Sequence, residues 1–268
     1  MDDHRYVFIG GMPRSGTSAV YRLLGSHQEI SRLTNTRVIE DEGQWLQNVY
    51  PTGPELGAPG RLGLNPLAHL TESSPSLATA RERLFGAWAP YWDISKPVLC
   101  EKSPPNIVRA RFLQAAFPAS SFIFVSRHPL AYSLAIRKWD WHVSVLTTIR
   151  NWLACYRTLN EDLRFLHRAI VVRYDDLTRD PAAWTKKLED FLEVGPGMDS
   201  TILRPGHNDR YYRSWSARDY RDGREPLRNK AKHLLSLAEA EYVEWRYERE
   251  INAYGYSFRE FGLSTGAS

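Results

Sequence analysis

The sequence lacks any apolar run of the about eighteen residues that a membrane-spanning helix requires. Its first residues lead directly into a short apolar segment and show no signal-peptide pattern. Only two cysteines, Cys100 and Cys155, occur among the 268 residues, and their spacing suits neither a disulfide framework nor a metal site. These absences argue against a secreted, disulfide-stabilised or membrane-spanning protein. We expect a cytoplasmic protein with no transmembrane segment and with reduced, structural thiols.

A strong charge of one sign is also missing, because 35 basic and 31 acidic residues give a net charge of +4. That balance gives no reason to expect a nucleic-acid partner. The charge is nevertheless unevenly distributed, since residues 204–232 contain nine basic side chains and four acidic ones. This segment is predicted to contact an anion.

Short apolar runs alternate with segments of helical periodicity along the chain. The runs predict strands over 6–11, 97–101, 121–126 and 169–173, and the periodic segments predict helices over 16–27, 77–92, 108–116, 131–141, 149–167 and 184–192. This order indicates an α/β fold, in which a central parallel sheet has helices on both faces and binds ligands at the carboxyl ends of its strands. We expect one domain over residues 1–268. The irregular, Pro- and Gly-rich region 34–76 is predicted to form a pocket wall on the acceptor side.

The segment Gly11-Met-Pro-Arg-Ser-Gly-Thr-Ser18 lies between the first strand and its helix, where backbone N–H groups and the helix dipole favour a phosphate. A nucleoside-triphosphate loop has Lys before the final Ser or Thr, whereas Thr17 occupies that position and Arg14 is the only basic residue. The motif therefore predicts phosphate binding but disfavours an ordinary ATPase or kinase.

Pro13-Arg-Ser-Gly-Thr-Ser18 resembles the 5'-phosphosulfate loop of PAPS-dependent sulfotransferases, in the Arg-bearing form of tyrosylprotein sulfotransferases and many bacterial members. The resemblance implies a P-loop-like three-layer fold, PAPS as donor and PAP as product. It also implies that the donor is bound by Pro13, Arg14, Ser15, Gly16, Thr17 and Ser18.

Ser126-Arg-His-Pro-Leu-Ala131 is similar to the second signature of that family, which implies that Arg127 holds the 3'-phosphate of the nucleotide. The family's usual serine eight residues later falls on Ala135, so Ser133 is the candidate for its role. Cys100-Glu-Lys-Ser-Pro104 resembles another family segment and implies that Lys102 contacts the sulfuryl group. Arg204 to Asn208, followed by Trp215, resembles the late loop that closes over PAP, which gives the basic segment 204–232 a purpose.

The general base cannot be carried over from the family in the same way. The catalytic glutamate of tyrosylprotein sulfotransferases falls on Asn35, and an amide cannot accept the proton. Within the acidic triplet of residues 40–42, resemblance to heparan-type members favours Glu42, with Glu40 second. His27 and His142 are third choices.

These residues suit transfer of a sulfuryl group from PAPS to a hydroxyl of a small-molecule, lipid or glycan acceptor by in-line displacement. Cations and N–H donors would stabilise the charge of the transition state, and no cluster with metal-ligand spacing is present, so we expect metal-independent chemistry. A P-loop kinase-like nucleotide phosphotransferase and a non-catalytic nucleotide binder are the alternatives. A protein tyrosine is not expected as acceptor because the sequence shows no secretory signal.

Overall fold

The structure is a computed structural model. It describes residues 4–140, 142–204, 208–216 and 230–261, and in the last of these ranges it describes side chains only from residue 238 onward. Its centre is a sheet of five parallel strands in the order β2-β3-β1-β4-β5. The strands are β1 (Arg5–Gly11), β2 (Ile30–Arg32), β3 (Val98–Lys102), β4 (Ser120–Ser126) and β5 (Ala169–Arg173). The helices are α1 (Thr17–Gly25), α2 (Leu77–Trp88), α3 (Ala110–Ala116), α4 (Pro129–Arg137), α5 (Val145–Asp162), α6 (Tyr174–Arg179), α7 (Pro181–Leu192), α8 (Asp209–Ser216) and α9 (Lys230–Asn252).

Both faces of the sheet are buried, as the continuous apolar character of the strands predicts. Successive side chains of β1 alternate between two hydrophobic clusters: Tyr6 and Phe8 belong to one, Val7 and Ile9 to the other. Helices α1, α6 and α7 contribute to the cluster of Val7, and α2 to α5, α8 and α9 contribute to the cluster of Tyr6. The predicted three-layer α/β fold is therefore confirmed.

The four predicted strands are present, and so are the six predicted helices, with ends that differ by a few residues. Strand β2 was not predicted, because three residues are too few to show a pattern. Region 34–76 contains no α-helix and no strand, only short 3-10 turns, as predicted. Both cysteines are free and buried, also as predicted.

The interpretation of 204–232 as a loop is wrong for residues 209–216, which form α8, and for residues 230–232, which begin α9. In α8 the aromatic residues Tyr211, Tyr212 and Trp215 are buried, so burial of one face stabilises a helix that its charged composition obscures. The remainder of the predicted loop, 205–207 and 217–229, lies outside the described residues. Among the helices described, none is both long enough and apolar enough to span a bilayer.

Candidate active site

A cavity of about 490 Å³ opens at the carboxyl end of the sheet. Strand β1 lies between β3 and β4, and its pairing with both brings the ends of these three strands to one edge. The cavity is lined by the loop after β1 and the start of α1, by residues that follow β3 and β4, and by parts of region 34–76. Its location agrees with the rule that ligands bind where the strand order of a parallel sheet reverses.

The loop after β1 is shaped by two residues in the left-handed backbone region. Arg14 has a φ of 65° and Gly16 a φ of 99°. A Cβ atom on Gly16 would lie 2.2 Å from the ring of Tyr174, so both the conformation and the space require glycine. Gly16, Thr17 and Ser18 all line the cavity at the N-terminus of α1, where free N–H groups and the helix dipole favour an anion.

Lys102, the last residue of β3, is completely buried behind the cavity wall. Its Nζ lies 2.8 Å from Oε1 of Glu42 and donates to the hydroxyl of Ser18 at 3.3 Å. Oε2 of Glu40 is 4.0 Å away. The ammonium group thus connects the loop after β1 with the acidic triplet, two segments that both line the cavity.

A buried hydrogen-bond network fixes the backbone on which Glu42 is carried. The amide of Gln44 donates to Oε2 of Glu42 at 2.5 Å, so both oxygens of this carboxylate are held. Oε1 of Glu101 accepts from the N–H of Gly43 at 2.9 Å and from the hydroxyl of Ser103 at 2.6 Å, while Ser103 accepts from the N–H of Gln44. Desolvation raises the pKa of Glu101 to about 7, because burial outweighs the hydrogen bonds that favour the carboxylate.

The other members of the acidic triplet have different surroundings. Asp41 accepts from the hydroxyl of Thr36 at 2.5 Å and closes the turn between them. Glu40 lines the cavity, has a φ of 56°, and its side chain is half exposed. Asn35 is exposed and does not line the cavity. Only Glu42 therefore combines a place in the cavity wall with a fixed carboxylate.

Arg127 follows β4 and lines the cavity. Its Nη1 donates to the carbonyl oxygen of Arg14, and its Nε donates to Oδ1 of Asn208 at 2.7 Å. The guanidinium carbon lies 5.5 Å from the ring centre of Tyr174 and 5.3 Å from that of Tyr211. Burial lowers the pKa of Arg127, and the neighbouring tyrosines and a carboxylate oppose that effect.

Comparison with known proteins shows to which family the chain belongs. Residues 6–195 match the model of the sulfotransferase family. The chain is a member of that family. It is 27% identical over 214 residues to the protein-tyrosine sulfotransferase of Drosophila melanogaster, an alignment that covers 73% of this chain and 39% of that protein. It is 26% identical over 207 residues to protein-tyrosine sulfotransferase 1 of Danio rerio, covering 75% of this chain and 56% of that protein.

The aligned parts of this chain therefore span less than two thirds of the length of both relatives. Among solved structures, the chain resembles the sulfotransferase STF9 of Mycobacterium avium with a TM-score of 0.53 and 13% identity, over 98% of this chain and 78% of that one. That likeness supports the fold alone.

Several residues that the sequence predicted for the site do line the cavity: Pro13, Arg14, Gly16, Thr17, Ser18, Glu40, Glu42 and Arg127. Lys102 lies behind this lining and reaches it through Glu42 and Ser18. The structure thus brings together the ends of three strands and the acidic triplet. Lys102 and Glu42 are in contact although they are far apart in sequence, and Arg127 lines the same cavity as Glu42.

Four predicted donor-binding residues lie away from the lining. Ser15 and Ser133 are fully buried, and the hydroxyl of Ser133 donates to the backbone carbonyl four residues earlier at 2.7 Å. Trp215 is buried in the core and its indole N–H donates to a glutamate of α9 at 2.7 Å. Arg204 is exposed. Their contacts with a nucleotide stay predictions.

His27, a third choice as base, is buried, and its ring bonds to the backbone carbonyl of Gly195 at 2.8 Å. His142, the other third choice, does not line the cavity. Sequence reasoning did not assign Tyr174 to the cavity, which this residue lines. Trp139 lines the cavity with its ring 4.8 Å from the guanidinium carbon of Arg14, a contact that no spacing in the sequence encodes.

Proposed function

We propose that this sulfotransferase moves the sulfuryl group of PAPS to a hydroxyl of a small-molecule or lipid-like acceptor, with Glu42 as general base. The convergence of three cations, Arg14, Lys102 and Arg127, with one fixed carboxylate around a single cavity is the observation that carries the proposal. A phosphosulfate anion requires such a set of donors, and an acceptor hydroxyl requires such a base.

The residues at the cavity fit PAPS in charge and shape. The start of α1 offers N–H groups and the hydroxyls of Thr17 and Ser18 where a 5'-phosphosulfate would lie, and Gly16 leaves the room that a side chain would fill. On the other side of the loop, Arg127 would hold the 3'-phosphate. PAPS would supply the activated sulfuryl group, and PAP would be released.

The proton and the charge can both be accounted for by residues of this chain. As the bond between the acceptor oxygen and sulfur forms, the bond between sulfur and the 5'-phosphate oxygen breaks, and its electron pair leaves with PAP. Glu42 takes the acceptor proton, while Lys102 and Arg14 stabilise the negative charge of the transferring and leaving groups. Lys102 is already held between Glu42 and Ser18, so its ammonium group lies between base and donor.

The acceptor side of the cavity supports an apolar acceptor. Apolar side chains form most of this wall: Ile39, Trp45, Pro54, Ala58, Pro59, Pro104, Pro105 and Trp139. The charged groups of region 34–76 that line it are Glu40 and Glu42, which would repel an anionic acceptor. A phenol, an alcohol or a lipid hydroxyl suits this wall better than a charged glycan. The two free, buried thiols support placing the reaction in the cytoplasm.

Isothermal titration of the protein with PAP in the presence of EDTA, and with ATP and Mg²⁺ in parallel, tests the donor site. We expect micromolar binding of PAP without metal, weakened about 100-fold but still measurable in Arg127→Ala. Binding of ATP but not of PAP would refute the proposal and support a phosphotransferase. Transfer from ³⁵S-labelled PAPS to a panel of phenols, sterols, oligosaccharides and tyrosine peptides then tests the acceptor. Peptides belong in the panel because the relatives above are named protein-tyrosine sulfotransferases.

If PAP binds and Glu42→Gln transfers sulfate as fast as the wild type, Glu42 is not the base. If PAP binds but no acceptor in the panel is sulfated, the acceptor class is wrong. Sulfation of the tyrosine peptide alone would replace the small-molecule acceptor by a protein one.

A further inference from the structure

The side chain of Arg127 is held by a second set of residues that do not line the cavity. Its Nε donates to Oδ1 of Asn208 at 2.7 Å. Nδ2 of Asn208 donates in turn to Oδ1 of Asp175 at 2.6 Å, and the hydroxyl of Tyr212 donates to the same oxygen at 2.9 Å. The chain of contacts thus runs from the nucleotide side of the cavity to α6 and α8.

The chemistry of the partners fixes the orientation of the Asn208 amide. A guanidinium can only donate hydrogen bonds and an ionised carboxylate can only accept them. The amide oxygen must therefore face Arg127 and the amide nitrogen must face Asp175, as observed. Asn208 is buried, so water does not compete freely for either contact.

The amide of Asn208 separates the guanidinium of Arg127 from the carboxylate of Asp175, and this separation affects how an anion can bind to Arg127. A direct ion pair between Arg127 and Asp175 would occupy the guanidinium and would oppose an incoming anion. Burial disfavours the cationic form of Arg127, and the negative charge of Asp175 opposes that effect. Because Asn208 lies between the two side chains, Asp175 does so without occupying the N–H donors of the guanidinium. Among the residues that the structure describes, Nη2 of Arg127 makes no hydrogen bond, while Nε and Nη1 are both engaged.

We propose that Asn208 and Asp175 are positioning residues that orient Arg127 for the 3'-phosphate of the nucleotide. This inference rests on the proposed function, because the 3'-phosphate is the ligand that it assigns to Arg127. Asn208 and Asp175 act through Arg127 and do not touch the nucleotide. Asn208, the residue that precedes α8, is in this way linked to Arg127 through its side-chain amide.

A double-mutant cycle on PAP binding tests the proposal. We expect Asn208→Ala to weaken PAP binding about 10- to 100-fold, the range expected for loss of a hydrogen bond to a charged group. In the background of Arg127→Ala the same substitution should cause no further loss, because its effect passes through the guanidinium. AMP, which lacks the 3'-phosphate, should lose less than about threefold in affinity.

Asp175→Asn and Asp176→Asn form a matched pair of neighbouring substitutions. Asp176 contacts Arg173 and Arg179 and is not part of the chain of contacts to Arg127. Asp175→Asn should weaken PAP binding about tenfold and Asp176→Asn should leave it unchanged. Thermal melting of each variant shows whether it is folded at the temperature of the titration.

The inference is overturned if Asn208→Ala weakens PAP binding equally with and without Arg127, or if Asp176→Asn has the effect of Asp175→Asn. Failure of the wild type to bind PAP would refute the proposed function instead. A crystal structure of Asn208→Ala separates the two cases without any ligand. We expect the guanidinium of Arg127 to leave the carbonyl of Arg14, and its retention there would refute the positioning role.

Discussion

Removal of the Glu42 carboxylate should reduce stability as well as activity, because Glu42 neutralises a cation with no access to solvent. The Nζ of Lys102 is 2.8 Å from Glu42, and its side chain is completely buried. Removing one partner of a buried ion pair costs about 3–5 kcal/mol, since the other charge is left uncompensated. Glu40, 4.0 Å away and half exposed, can offset part of that cost. We therefore expect Glu42→Ala to lower the free energy of unfolding by about 3 kcal/mol, the lower end of that range.

Urea unfolding at pH 7.5, followed by tryptophan fluorescence, measures this difference. The double variant Glu42→Ala, Lys102→Met should recover most of the loss, because it leaves no buried charge. Glu40→Ala is the control and should cost less than about 1 kcal/mol, since its contact with Lys102 is long and partly exposed. A loss below about 1 kcal/mol in Glu42→Ala, or a double variant as unstable as the sum of its parts, would refute the buried ion pair as a source of stability.

Three further predictions concern catalysis, the donor loop and pH. Glu42→Gln should lower kcat for sulfate transfer by about 10²- to 10⁴-fold with PAP affinity unchanged. Glu40→Gln should leave kcat within about fivefold of the wild type. Equal losses of kcat in steady-state assays would show that Glu42 is not distinguished from Glu40 as the base. Gly16→Ala should weaken PAP binding by more than about tenfold in calorimetry, because its Cβ would lie 2.2 Å from the Tyr174 ring; wild-type affinity would contradict this geometry. The pKa of Glu101 is raised from 4.5 to about 7, so the folded state binds the extra proton and stability falls as pH rises through that interval. Glu101→Gln removes the titrating carboxyl group. Its free energy of unfolding relative to the wild type, measured with urea, should therefore rise by about 3 kcal/mol between pH 4.5 and pH 8. A difference in stability between the two proteins that does not change with pH would exclude this linkage.

Most of the fold could be predicted from the sequence, because strands that are buried on both faces appear in it as continuous apolar runs. Residues 121–126 show such a run, and β4 begins only one residue earlier. Strand β2 is too short for any pattern. Helix α8 was missed because its charged residues dominate its composition, while burial of its three aromatic side chains is a tertiary effect.

Many of the residues that line the cavity could also be predicted, because strand ends and a glycine-containing loop are local features of the sequence. Within the acidic triplet, Glu42 is the residue whose carboxylate is fixed beside Lys102 in the cavity wall, and its role as general base stays a prediction. Contacts between residues that are distant in sequence could not be predicted. The amide of Asn208 reaches both Arg127 and Asp175, and neither sequence distance nor residue type indicates that meeting.

The three cations of the cavity come from positions 14, 102 and 127, and the parallel pairing of β1 with β3 and β4 brings them together. An unfolded chain therefore does not bring these cations together, and a nucleotide that needs all of them favours the native state. At a concentration one hundred times its dissociation constant, such a ligand adds about 2.7 kcal/mol to stability. If PAPS and PAP bind there as proposed, they would protect the protein against proteolysis, and its lifetime would then depend on their supply.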